Sequence, residues 1–143
     1  MKYEQFIKQV QSVAQLSHRQ QAERATRATL ETLKERIVGD EAKDLASQLP
    51  AELQEYLRGR EGENGQFFSL QEFYQRVSEK EGTAPSDAAT HVQAVFTVLQ
   101  KAVTPGELAD VRANFSDDYA ELFLAETSLN EVPSSPSFSS PSF

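Results

Sequence analysis

Cysteine is absent from the 143 residues, so disulfides, thiolate metal sites and cysteine nucleophiles are all excluded. No run of 18 apolar residues occurs, and a membrane-spanning helix is not expected. The opening "MKYEQFIKQV" is punctuated by charge and lacks the apolar stretch of a secretory signal, which points to a cytoplasmic setting. Histidine is scarce: His18 and His91 are too far apart for a helical metal pair, and there is no HExxH pattern. Glycine-rich phosphate loops and G-x-S-x-G elbows are also missing. Basic residues are outnumbered, 14 Lys and Arg against 22 Asp and Glu, for a formal charge of −8. Such a surface repels phosphate backbones and anionic membranes. The best basic grouping is Arg19, Arg24 and Arg27, diluted by Glu23 and Glu31, so nucleic acid is not an expected partner.

What is present is helical periodicity. Tyr3, Phe6, Ile7, Val10 and Val13 recur at three- and four-residue steps. Ser17 and Gln20 have capping-box spacing ahead of a long segment that runs to about Val38. Along it, Ala22, Ala25, Thr29 or Leu30, Leu33 and Ile37 share one face, and the small residues permit close approach of another helix. Gly39 is read as its stop. A short helix, "DEAKDLASQ", precedes "PAELQEYL", in which Pro50 opens a further one. The glycine-rich, charged "RGREGENGQ" (58–66) reads as an exposed loop or linker.

The pattern then restarts. Ser69 and Glu72 again have capping-box spacing, and Leu70, Phe73, Tyr74 and Val77 supply an apolar side. The segment "SDAATHVQAVFTVLQKAV" carries a buried stripe at Ala88, Val92, Val95 or Phe96, Leu99 and Val103. Thr104, Pro105 and Glu107 spell an N-cap, a first-turn proline and a reciprocal cap. Two short helices, "ELADVRANF" and "DDYAELFL", bring the count to eight, and no segment alternates like a strand. An offset of 66 lays Ala22 on Ala88, Leu33 on Leu99, Glu41 on Glu107, Asp44 on Asp110 and Leu53 on Tyr119. The expected architecture is therefore all-α: an eight-helix bundle built from two similar four-helix units, about 1–58 and 67–125, within a domain spanning 1–129. Hydrophobic content of 38% suffices for one shared core without staples. Residues 130–143 hold "SSPSF" twice; serine and proline there cannot build a core, and a flexible tail is expected.

Candidate chemistry is sparse. Asp117 and Asp118 open the last helix, where acids favour the positive helix end. Asp117 and Glu121 share a face, so Asp117, Asp118 and Glu121, with His91, form the candidate set for a divalent cation or for acid-assisted hydrolysis, although no EF-hand loop surrounds them. The acids Glu107, Asp110, Asp117, Asp118, Glu121, Glu126 and Glu131 face a single base, Arg112, in the window 104–131. No catalytic residue is assigned and no cofactor is expected. Taken as an ordered set, "MKYEQFIKQV", "LASQLPAELQEYL", "FSLQEFYQRV" and "ELADVRANFSDDYAELF" resemble the DUF2267 family, small bacterial helical proteins without an assigned activity. The likeness covers about 1–125. It keeps a Leu49-Pro50 start in the first half and replaces it by Phe115-Ser116 in the second. It implies an all-helical fold and supplies no catalytic residue. The expected function is a non-enzymatic binding module whose partner is another protein or a second copy of the chain; the alternative is a metal-dependent protein using the acids of the second unit.

Overall fold

A computed structural model describes residues 1–123 of the chain. The tail (130–143) and the domain edge at 129 lie outside the described residues. Among the described residues there are seven α-helices and one 3-10 helix, with no strand. They are α1 (Tyr3–Val13), α2 (Arg19–Arg36), α3 (Gly39–Ala46), α4 (Ala51–Gln54), α5 (Leu70–Glu81), α6 (Pro85–Ala102) and α7 (Pro105–Arg112), then the 3-10 helix Asp117–Tyr119. No helix described is long and apolar enough to cross a membrane.

The two longest helices occupy the centre. Helix α2 packs on α1, α5 and α6, and α6 packs on α1 and α5 as well. Every position of the apolar stripes expected on α2 and α6 is buried, from Ala22 to Ile37 and from Ala88 to Val103. Thr26, Ala28 and Thr32 are buried too, because a central helix meets neighbours on several sides. Their small side chains let the α2 and α6 backbones approach closely. Thr32 satisfies its hydroxyl on the Ala28 carbonyl at 2.8 Å. Helices α3 and α7 pack on each other at one end of this arrangement. One apolar cluster joins all of it, from Phe6 to Leu122. Aromatic rings concentrate in its second half, where Phe73 meets Phe96 and Tyr119 edge-on at 6.2 and 5.9 Å.

Helix starts follow the sequence signals with two differences. Ser69 accepts from Glu72 N–H at 3.2 Å, and Thr104 accepts from Glu107 N–H at 3.2 Å, as the spacing predicts. At α2 the cap falls one residue later than Ser17: His18 N–H donates to the Gln21 side chain at 3.0 Å. At α7 the reciprocal cap is not made by Glu107. Thr104 N–H donates instead to Oε1 of Gln48, from the turn after α3, at 2.8 Å. Glu107 is thereby released to point into the α3–α7 contact.

Gly39 does not terminate α2. It is the first residue of α3, it is buried, and its φ is not positive. Its lack of a side chain admits the loop 58–66, since an added Cβ would lie 1.7 Å from the Arg60 carbonyl oxygen. That loop is largely exposed yet bonded down: Gly39 N–H donates to Glu63 O and Gln66 N–H to Glu35 O, both at 2.9 Å, and Gly62 N–H donates to the Asp40 carboxylate at 2.9 Å. Gly39→Ala is expected to lift the loop and cost about 1–3 kcal/mol, because a buried donor loses its acceptor and the clash is with backbone. Urea unfolding and proteolysis within 58–66 measure this. Gly106→Ala is the control: nothing lies within 4 Å of its added Cβ, and its stability should not fall.

Candidate functional site

Three recesses adjoin along α2: the first against the end of α5 and the start of α6, the other two towards α1 and the start of α4. The first, about 340 Å³, has Gln21, Arg24, Thr90 and His91 in its wall. The second, about 380 Å³, lies between Tyr3, Arg24, Arg27 and Tyr56. The third, about 390 Å³, is bounded by Lys2, Tyr3, Pro50 and Glu52. Arg24 lines the first and second, and Tyr3 the second and third, so the three are neighbours that share these side chains as walls.

Most charges around these recesses are already paired. Arg19 bridges Glu4 and Glu23, and the Tyr3 hydroxyl donates to Glu23 at 2.9 Å. Burial and that carboxylate together push the Tyr3 phenol up to about 12. Arg27 pairs with Glu31 at 3.0 Å while lying 5.4 Å from the Tyr56 ring centre. At the floor of the first recess, His91 Nδ1 sits 2.9 and 3.0 Å from the two oxygens of Glu81, a side chain only 1% exposed. The hydrogen bond to that carboxylate raises the imidazole's pKa, against a smaller opposing effect of burial. Thr83 Oγ1 donates to the same carboxylate at 3.1 Å. Arg24 is exposed and makes no ion pair among the described residues.

The residues singled out in the sequence are dispersed into separate contacts. His91 belongs to the first recess. Asp118 accepts from Leu70 N–H at 2.8 Å, capping α5, and from the Ser116 hydroxyl. These two hydrogen bonds, Ser116 first, hold its carboxyl below the ordinary range. Glu121 accepts from the Tyr74 hydroxyl at 2.7 Å. Asp117 is exposed. Among the described residues, the group of three metal-capable side chains that does converge is Glu41, Glu107 and Asp110, with one carboxylate oxygen from each within 4.8 Å of the others. Burial, then the facing Glu41, pushes Glu107 up to about 8. The offset of 66 had aligned Glu41 with Glu107 and Asp44 with Asp110, but alignment does not reveal that the two aligned helices touch.

Among curated proteins no relative matches this chain. Residues 3–122 match the family model described as "Uncharacterized conserved protein (DUF2267)". The match spans every helix from α1 to the 3-10 helix, and the chain belongs to the DUF2267 family.

Proposed function

We propose that the protein is a non-enzymatic interaction module that holds a segment of a partner protein in the adjoining recesses along α2. The supporting observation is the adjacency of three recesses that share Arg24 and Tyr3 as walls, with Arg24 making no ion pair among the described residues. A partner segment carrying a carboxylate for Arg24 and an aromatic or apolar side chain for the Tyr3–Tyr56 recess matches that chemistry. The catalytic alternative has less in its favour, because Asp118 and Glu121 already hold a helix start and a tyrosine hydroxyl.

The same proposal takes the fold as a duplication of four helices and places the protein in the cytoplasm. Paired helix lengths support the duplication: 11 and 12 residues for α1 and α5, 18 for α2 and α6, 8 for α3 and α7.

Immobilised protein should enrich a defined partner from cell extract. Arg24→Glu combined with Tyr56→Ala should lower its recovery at least about tenfold, the loss expected for one charge-assisted contact. Lys101→Glu, at the exposed far end of α6, should leave it unchanged. Equal recovery on all three baits would overturn the proposal.

A further inference from the structure

The contact between α3 and α7 buries Glu107 against Glu41, with one oxygen of each lacking any hydrogen-bond partner among the described residues. Glu107 is 9% exposed, and its Oε2 has no hydrogen-bond partner; Oε2 of Glu41 is buried in the same condition. The helix start does not explain Glu107, since Gln48 holds the Thr104 N–H that a capping glutamate would take. Two facing buried carboxylates are strongly unfavourable unless a shared proton or a cation neutralises one of them. Asp110 stands at the exposed edge of the cluster, half-buried Glu41 at its side and Glu107 at its floor. The arrangement therefore has a solvent side by which a small ion can enter and an unsatisfied interior for it to reach.

We propose that Glu41, Glu107 and Asp110 form a divalent-cation site that clamps α3 to α7. The donor set is three carboxylates with no imidazole or thiolate, which selects hard cations over zinc or copper. One carboxylate oxygen from each residue lies within 4.8 Å of the others, close enough for all three to reach one ion. Ca²⁺ accepts an irregular oxygen shell, whereas Mg²⁺ demands near-ideal octahedral geometry and dehydrates reluctantly, which favours Ca²⁺. Water completes the shell on the Asp110 side. The site lies on the α3–α7 contact, apart from the residues of the three recesses, and it does not depend on their having a partner.

The test uses the full chain stripped of metal with a chelator and then titrated with CaCl₂, MgCl₂ or MnCl₂. Calorimetry and thermal unfolding are read in parallel. With Ca²⁺ at about a hundredfold excess over Kd, the Tm should rise by about 5–10 °C, and less with Mg²⁺. Glu107→Gln should fold, unfold at a higher temperature than the stripped native chain, and bind Ca²⁺ at least about 100-fold more weakly. Asp110→Asn should weaken binding while raising the metal-free Tm less than Glu107→Gln does, since its repulsion of Glu107 is the smaller one. Two results overturn the site. One is a native chain indifferent to all three cations while Glu107→Gln still gains stability, which leaves a proton shared by the two glutamates. The other is a cation response that survives both substitutions, which puts the ion elsewhere.

Discussion

Arg36→Ala is expected to lower the unfolding free energy by about 3–5 kcal/mol, from the loss of two charge-assisted hydrogen bonds and the void left among packed rings. Arg36 is 4% exposed at the end of α2. Its Nε donates to the Phe68 carbonyl and its Nη1 to the Asn114 carbonyl, both at 3.0 Å. Its guanidinium carbon lies 4.9 Å from the Phe67 ring centre, 5.2 Å from Phe115 and 5.1 Å from Tyr119. Carbonyl dipoles and aromatic faces thus stand where a carboxylate would ordinarily be found. Truncation would remove the donor to Asn114, open a void among three rings and weaken the joint between the chain's halves. Arg36→Lys should recover less than half of the loss, because one ammonium cannot serve two divergent carbonyls and lie flat between rings. Denaturant midpoints decide the matter: a loss under about 1 kcal/mol for the alanine variant would show that the guanidinium is dispensable.

The second large effect is a dependence on pH that runs opposite to ordinary acid denaturation. Glu107 holds its proton up to about 8, against 4.5 for a free glutamate, because it is buried and faces Glu41, with Asp44 and Asp110 adding smaller repulsions. The folded state therefore binds a proton that the unfolded chain has released. The stabilising contribution is complete below 4.5 and disappears as pH rises through 8. Each unit of displacement is worth about 1.4 kcal/mol, so chelator-treated protein should lose about 2 kcal/mol or more between pH 5 and 8.5. Asp118 acts in the opposite sense. Its lowered value makes its contribution present at neutral pH and lost in acid, below pH 4. His91, raised by Glu81, acts in the same sense as Glu107, so the Glu107 share is the part of the decline that its glutamine variant removes. Glu107→Gln should flatten the decline from pH 5 to 8.5. Parallel curves for the native and variant chains would refute the assignment.

The sequence carried the helices because core and cap residues obey local rules. Phe6, Ile7 and Val10 are buried at helical steps, and Ser69 and Thr104 sit where their oxygens reach the next turn's N–H. What it hid were residues whose local role and spatial role differ. Glu107 has the spacing of a reciprocal cap, yet Gln48, 56 residues earlier than Thr104, takes that bond. Gly39 has the look of a helix stop, yet it serves as the floor beneath Arg60. Arg36 carries no sequence signal of its own, and only the return of Phe68 and Asn114 buries it. His91 has no second histidine at helical spacing, and Asp87, one turn before it, is not the residue it bonds. Its partner Glu81 lies on the preceding helix, ten residues back, where no spacing rule points.

The reach of Arg36 also bears on how the chain is made. The acceptor of its Nη1 lies 78 residues further on, and the N–H that opens α5 waits 48 residues for Asp118. A ribosome that has delivered α1 through α6 has therefore exposed a guanidinium still lacking its Asn114 acceptor and a helix start still lacking Asp118. Closing loops of that length is slow and comes late. The first half cannot settle ahead of the second, and a nascent chain halted before residue 114 is the form most open to chaperones and proteases.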